Sequence, residues 1–216
     1  MHNSIDNLNL IKENLKSKVK NYEKIKIIAV SKTFPIDHIQ PLIKYGHFDY
    51  GENKVQEATN KWTEVKLQYP DIKLHLIGKL QTNKVKLSVK LFDYIHSLDS
   101  KKLAKKIADE QIKQNKKLKL FIQVNIGNEE QKSGINKDQL IDLYEYCKEL
   151  NLNIIGLMCI PPANQDVEKY FNQTNLLNKE LNLSELSMGM SSDYLKAAEY
   201  SSSYIRIGSS IFGKRV

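Results

Sequence analysis

The sequence predicts an α/β protein folded as a single (β/α)8 TIM barrel with an extra helix at its amino terminus. Eight short apolar runs alternate strictly with helical patterns, and strict alternation predicts parallel strands with helices outside. Eight such units is the number at which a parallel sheet closes on itself. An open, doubly wound sheet is the alternative, but no G-x-G-x-x-G turn follows the first strand. We expect residues 1–216 to form one domain.

The extra helix comes first. Residues 4–22 place Ile5, Leu8, Ile11 and Leu15 three or four positions apart, as on one face of an amphipathic helix. The first strand is predicted at residues 25–30, with Pro35 at the first position of a helix that runs to residue 45. Three strand and helix pairs follow: FDYG with residues 55–68, KLHLIG with residues 83–91, and YIHSL with residues 100–114.

The second half of the chain repeats the alternation. LKLFIQVNIG precedes a helix at residues 137–149, where Asn136 and Gln139 have the spacing of a capping box. NIIGLMCI precedes a helix at residues 167–181, ELSMGM precedes one at residues 192–200, and YIRIG precedes a short final turn. Residues that follow the strands of a barrel gather on one face and build the site. This rule selects Lys32, Asn53, His75 with Gly78, Ser97, Asn125, Met158, Ser191, and Arg206 with Gly208 and Ser209.

Composition excludes several classes of function. No run approaches the roughly 18 apolar residues of a membrane span, and the first 22 residues lack the apolar segment of a secretion signal. We therefore expect a soluble, cytoplasmic protein without a membrane partner. The net charge of +8 comes from lysines scattered along the chain, without an aromatic and basic groove motif, so nucleic acid is not expected as a partner. Neither the two cysteines nor the five histidines have the spacing of a metal site.

Lys32 ends the stretch IIAVSKTFP, at the point where a buried strand stops. A lysine in this position is often a solvent-facing charge. It can instead be desolvated, lose its proton and attack a carbonyl carbon to form an imine. Both interpretations remain open until the rest of the chain is considered.

Two glycine and serine segments close the last strands. RIGSSIFG supplies Gly208, Ser209 and Ser210 where a short helix begins, and SMGMSSD supplies Ser191 at a predicted N-cap before the helix at residues 192–200. Backbone N–H groups at helix starts bind anions, and phosphate sites in barrels commonly follow strands seven and eight. Each segment alone is also explained by ordinary turns and caps. Together they predict a phosphate site.

Arg206 is one of only two arginines among 33 basic residues, and it lies within the last strand. A guanidinium is always charged and donates in a fixed planar direction, so lysine is not its equivalent there. Its partner could be a carboxylate such as Asp193 or Glu52, or it could be a ligand. An amine, a phosphate pocket and an arginine between them suit a phosphorylated aldehyde such as pyridoxal 5′-phosphate (PLP).

Five ordered motifs, AVSKTFP, GENKVQE, HLIGKLQTNK, LSMGMSSD and RIGSSIFG, resemble those of the pyridoxal phosphate homeostasis proteins. That family shares the barrel of the alanine racemase amino-terminal domain, the fold-type III class of PLP proteins. The resemblance implies that Lys32 carries PLP as an imine and that Ser191, Gly208 and Ser209 hold its phosphate. It also implies that Arg206 faces the pyridine nitrogen and that Asn53 is adjacent to the cofactor. Ser209 stands where the family often has threonine, which keeps the hydroxyl.

The resemblance implies a monomeric carrier that stores PLP and releases it to apoenzymes, with free amino acids as further partners. An arginine beside the pyridine nitrogen opposes its protonation and so restrains carbanion chemistry. We also expect no additional β-domain of the kind from which racemases of the similar fold take a catalytic tyrosine. The alternatives are a weak PLP-dependent amino acid racemase and a cofactor-free aldolase that forms an imine with a sugar phosphate. His75 stays open between a core residue and a ligand.

Overall fold

Eight parallel strands close into a barrel in sequence order, with β8 pairing to β1. The computed structural model describes residues 3–129 and 131–213. The strands are β1 Lys26–Val30, β2 Asp49–Glu52, β3 Lys73–Leu76, β4 Tyr94–Leu98, β5 Lys119–Val124, β6 Ile154–Cys159, β7 Glu185–Ser187 and β8 Tyr204–Ile207. The predicted barrel is confirmed, and the open-sheet alternative is wrong.

Helices surround the barrel and connect its strands. They are α1 Asn3–Lys18, α2 Ile36–Lys44, α3 Val55–Gln68, α4 Val85–Leu91, α5 Lys101–Lys113, α6 Leu140–Glu149, α7 Val167–Glu180, α8 Tyr194–Glu199 and α9 Ser209–Phe212. The extra helix α1 buries the predicted face of Leu8, Ile11 and Leu15. Over the described ranges, no helix is both long and apolar enough to cross a membrane.

Three predicted helix starts are wrong. Asn136 makes no capping hydrogen bond with its side chain, because residues 137–139 form a 3-10 turn whose backbone N–H at Gln139 is bonded to the Asn136 carbonyl. Helix α8 begins at Tyr194 with Asp193 as its N-cap, so Ser191 is not the cap. Pro35 has extended backbone angles and is itself the N-cap of α2, which therefore begins one residue later.

The apolar core has two parts. The larger part lies between the barrel and the helices and includes Trp62, the largest fully buried side chain. The smaller part fills the barrel interior with Ile28, Tyr94, Phe121, Met158 and Tyr204. Because side chains fill the interior of a barrel of this size, a ligand site must lie at its mouth.

Candidate functional site

A cavity of about 510 Å³ lies at the carboxyl ends of the strands. The six residues predicted to bind the cofactor all line it: Lys32, Asn53, Ser191, Arg206, Gly208 and Ser209. They come from the ends of β1, β2 and β7 and from β8 with the segment after it, so closure of the barrel is what brings them together. The remaining lining includes apolar side chains of Val30, Ile77, Ile160 and Met190.

Of the other residues selected by the barrel rule, Gly78 also lines this cavity, and the rest lie elsewhere. His75, Ser97 and Met158 are buried in the strands. Asn125 lines a separate cavity of about 720 Å³, together with Asn128, Lys132 and other polar residues. Volume alone therefore does not identify the site. The smaller cavity is distinguished by an amine, a buried guanidinium and backbone donors on its walls.

The backbone on both sides of Lys32 is held by α3. Glu57 accepts a hydrogen bond of 2.7 Å from the Thr33 N–H. Lys61 donates to the Ser31 carbonyl at 3.0 Å and to Glu57 at 3.2 Å. Burial acts to raise the pKa of Glu57, but the bonds from Thr33 and Lys61 outweigh it and lower that pKa. This support was not predicted from the sequence, although GENKVQE places Glu57 three residues into α3.

Arg206 is 4% exposed, and its hydrogen-bond partners among the described residues are neutral. One terminal nitrogen donates to the Ser187 hydroxyl at 2.6 Å, and the other donates to the Cys159 carbonyl at 2.9 Å. No carboxylate of residues 3–129 or 131–213 lies within 4.0 Å of the guanidinium. The carboxylate partners that the sequence suggested, Asp193 and Glu52, are therefore wrong as direct contacts. Burial lowers the pKa of Arg206, since a charge away from water is costly unless an acceptor meets it.

The two glycine and serine segments meet at one oxygen. The Ser191 hydroxyl accepts hydrogen bonds from the Gly208 and Ser210 N–H groups, both at 3.3 Å. Ser191 thus connects the segment after β7 to the segment after β8 and leaves the cap of α8 to Asp193. Two backbone donors that converge on one point suit an anionic oxygen as well as a hydroxyl.

Asn53 and Gly78 are in close contact across the mouth. A Cβ atom on Gly78 would lie 2.3 Å from the Asn53 carbonyl oxygen, so only glycine fits beside this segment. The side-chain oxygen of Asn53 is buried and has no hydrogen-bond partner among the described residues. A buried polar atom without a partner is costly, and a polar ligand in the cavity would remove that cost.

His75 is a core residue, which answers the question that the sequence left open. Its ring is fully buried and is bonded to Asp49 at 2.9 Å and to His96 at 3.0 Å. Burial lowers the pKa of His75, and it holds the pKa of His96 well below its ordinary value. Within the described part of the chain, no group of three or more His, Cys, Asp or Glu side chains could hold a metal ion.

Comparison with known proteins shows to which family the chain belongs. Residues 7–216 match the family described as alanine racemase, N-terminal domain. The chain is 41% identical to the pyridoxal phosphate homeostasis protein of Aquifex aeolicus, with 88% of this chain and 87% of that protein covered. It is 35% identical to the protein of the same name from Pasteurella multocida, with 97% and 96% covered.

A solved structure is similar over nearly the whole length. PipY of Synechococcus elongatus, determined with PLP bound, superposes with a TM-score of 0.85 at 34% identity, over 94% of this chain and all of PipY. The five motifs, the closed barrel and these relatives agree. The chain belongs to the pyridoxal phosphate homeostasis proteins, within the family of the alanine racemase N-terminal domain.

Proposed function

We propose that this protein binds PLP at the barrel mouth, holds it as an imine on Lys32 and releases it to apoenzymes. The observation that carries the proposal is that one cavity is lined by Lys32, Arg206 and the donors around Ser191. PLP has an aldehyde, a pyridine nitrogen and a phosphate, which match these three features. Its binding by the similar PipY supports the same ligand here.

Polar groups on the walls of the cavity also suit PLP. The buried guanidinium of Arg206 has neutral partners, and a pyridine nitrogen is a neutral acceptor for a further N–H group. The oxygen of Asn53 lacks a partner among the described residues. The N–H groups of Gly208 and Ser210, which donate to the Ser191 hydroxyl, would also suit a phosphate oxygen as their acceptor.

Formation of the imine between Lys32 and PLP is reversible and releases one molecule of water. The neutral Lys32 amine attacks the aldehyde carbon, a C=N bond forms, and the aldehyde oxygen leaves as water. Addition of water, or exchange with another amine, returns the lysine and frees the cofactor. Storage as an imine thus protects a reactive aldehyde while leaving its delivery possible.

Arg206 favours a carrier over a catalyst. PLP withdraws electrons best when its pyridine nitrogen is protonated, and an always-charged donor beside that nitrogen opposes protonation. The carbanion steps of a racemase would be slowed for this reason. The names of the relatives, which describe homeostasis, agree with this interpretation.

Absorption and borohydride trapping test the binding. Wild-type protein mixed with PLP should gain a near-visible imine band, and reduction should leave a pyridoxyl group on Lys32 in the peptide mass spectrum. Lys32→Ala should lose the band, whereas Lys54→Ala, which removes an exposed lysine near the mouth, should retain it. A band that persists undiminished in Lys32→Ala would overturn the assignment. A colourless protein that instead traps a sugar phosphate would support the aldolase alternative.

Transfer and catalysis need separate assays. The loaded protein should activate a PLP-dependent apoenzyme in the presence of a phosphatase that destroys free PLP. Incubation with L-amino acids in deuterium oxide should leave the Cα hydrogen unexchanged. Sustained exchange together with the appearance of the D-isomer would favour the racemase alternative instead.

A further inference from the structure

A chain of side-chain hydrogen bonds crosses the barrel interior from Asp49 to Arg206. Asp49 meets His75 at 2.9 Å, His75 meets His96 at 3.0 Å, His96 meets the Ser187 hydroxyl at 2.9 Å, and Arg206 meets the same hydroxyl at 2.6 Å. The two rings and the serine are fully buried. The five residues come from β2, β3, β4, β7 and β8, so they span the closed sheet.

The Asp49 end of this hydrogen-bond chain sets one direction for every bond, and the Arg206 end is compatible with that direction. Arg206 can only donate, so it occupies the Ser187 oxygen as an acceptor. The Ser187 hydroxyl can then give its single proton to Nδ1 of His96. A neutral His96 with a bare Nδ1 carries its proton on Nε2, which faces Nδ1 of His75.

The same logic continues to the other end. His75 accepts at Nδ1, so its proton lies on Nε2 and points to the Asp49 carboxylate, which can only accept when ionised. The opposite direction would set a bare ring nitrogen of His75 against that carboxylate. Burial acts to raise the pKa of Asp49, but the bond from His75 and the nearby charges outweigh it and lower that pKa, so the carboxylate stays ionised.

Ring contacts hold both histidines in place. His75 stacks on Tyr94 with ring centroids 4.2 Å apart, and His96 stacks on Phe121 at 4.3 Å. Neither ring can rotate freely in a filled barrel interior. The hydrogen-bond chain is therefore rigid in position as well as uniform in direction.

We infer that Asp49, His75, His96 and Ser187 are positioning residues, which hold the Arg206 guanidinium so that its remaining N–H groups point into the cavity. The inference rests on the proposed function, in which Arg206 faces the PLP ring. Ser187 holds one terminal nitrogen and the Cys159 carbonyl holds the other. Loss of Ser187 leaves a guanidinium fixed at one nitrogen only, and hence free to swing.

The direction of these hydrogen bonds is given by which nitrogen of each histidine ring carries the proton, and this can be measured without any ligand. Long-range ¹H–¹⁵N spectra of the protein before PLP is added should show His75 and His96 as neutral rings protonated at Nε2, at neutral pH. Assignment uses His75→Gln and His96→Gln. A ring protonated at Nδ1, or at both nitrogens, would overturn the inference whether or not PLP binds.

The effect on the ligand is measured with matched serine variants. Ser187→Ala should weaken PLP binding about tenfold, the loss expected when a hydrogen bond to a charged group no longer orients it. The absorption maximum of bound PLP should also shift, because the charge beside its ring has moved. Ser187→Thr keeps the hydroxyl and should restore both. Ser97→Ala removes another buried serine, whose oxygen has no partner among the described residues, and should change neither.

The outcomes separate the two proposals. If wild type binds PLP on Lys32 and Ser187→Ala binds it with unchanged affinity and spectrum, the positioning role is wrong and the proposed function stands. If wild type does not bind PLP, the proposed function fails, and the role of the hydrogen-bond chain toward this ligand fails with it.

Discussion

The Ser31 hydroxyl donates a hydrogen bond of 2.8 Å to the Glu52 carboxylate, and both residues are fully buried. Each residue precedes a predicted ligand-binding residue: Lys32 follows β1, and Asn53 follows β2. The same carboxylate oxygen accepts from Lys61 at 3.0 Å and from the Trp62 indole at 2.9 Å. One buried anion thus ties two walls of the cavity to α3.

Removal of the Glu52 carboxylate should destabilise the protein. We expect Glu52→Ala to lower the free energy of unfolding by about 3–5 kcal/mol, because it leaves the nearly buried Lys61 without its closest carboxylate. Urea denaturation measures the loss. Replacing both charges, with Glu52→Leu and Lys61→Met together, should recover part of it. Asp142→Ala, which breaks an exposed pair with Lys101, should cost only about 0–1 kcal/mol, and an equal loss in both single variants would contradict the prediction.

Thr33 should be improved by asparagine. Its φ of 71° lies in the left-handed region, which is unfavourable for a β-branched residue. Of eight non-glycine residues at positive φ in the described ranges, six are asparagine, which adopts this conformation more readily. Thr33→Asn should raise the free energy of unfolding by about 1 kcal/mol and keep the N–H bond to Glu57. Thr33→Val keeps the branching and should bring no gain; a loss with asparagine would mean that the strain estimate is wrong.

Stability should fall as the pH is lowered from 7.5 to 5. Burial lowers the pKa of His47 to about 4 and also lowers those of His75 and His96. Below pH 6.5 these histidines bind protons in the unfolded chain but stay neutral in the folded chain. Each such proton lowers the free energy of unfolding by about 1.4 kcal/mol for every pH unit. Asp99, whose pKa burial raises, acts in the opposite direction. Urea midpoints at pH 7.5, 6 and 5 measure the slope, which His47→Gln should reduce. Equal midpoints would contradict the prediction.

Gly78 should not tolerate a side chain. In Gly78→Ala the new Cβ would meet the Asn53 backbone at 2.3 Å, so the segment after β2 must move. We expect a loss of about 1–3 kcal/mol in unfolding free energy, together with weaker PLP binding. A Cβ atom on Gly208 would lie 3.5 Å from its nearest neighbour, Val30, which is an ordinary contact. Gly208→Ala should therefore change the free energy of unfolding by less than about 0.5 kcal/mol. Denaturation of both variants provides the comparison, and equal stabilities would exclude the close contact.

The barrel and its mouth were predictable because they depend on local patterns. Alternation of apolar runs with helical periods reports strand and helix order, and eight parallel units close in one way. The six cavity residues followed from their places after strands and from the five motifs. The helix starts at Asn136 and Ser191 were predicted wrongly: Asn136 makes no capping hydrogen bond, and the Ser191 hydroxyl bonds to the segment after β8 instead.

The sequence by itself determined the order of elements, the lysine at the end of the first strand and the family to which the chain belongs. Only the tertiary structure decided that Glu52 accepts a hydrogen bond from the Ser31 hydroxyl beside Lys32, and that His75 belongs to a chain of hydrogen bonds ending at Arg206. Some of these partners come from neighbouring strands, whereas His96 and Ser187 are 91 residues apart, and the folded barrel brings each pair within 3.0 Å. A hydrogen bond depends on distance and direction in space, which residue spacing along a sequence does not encode.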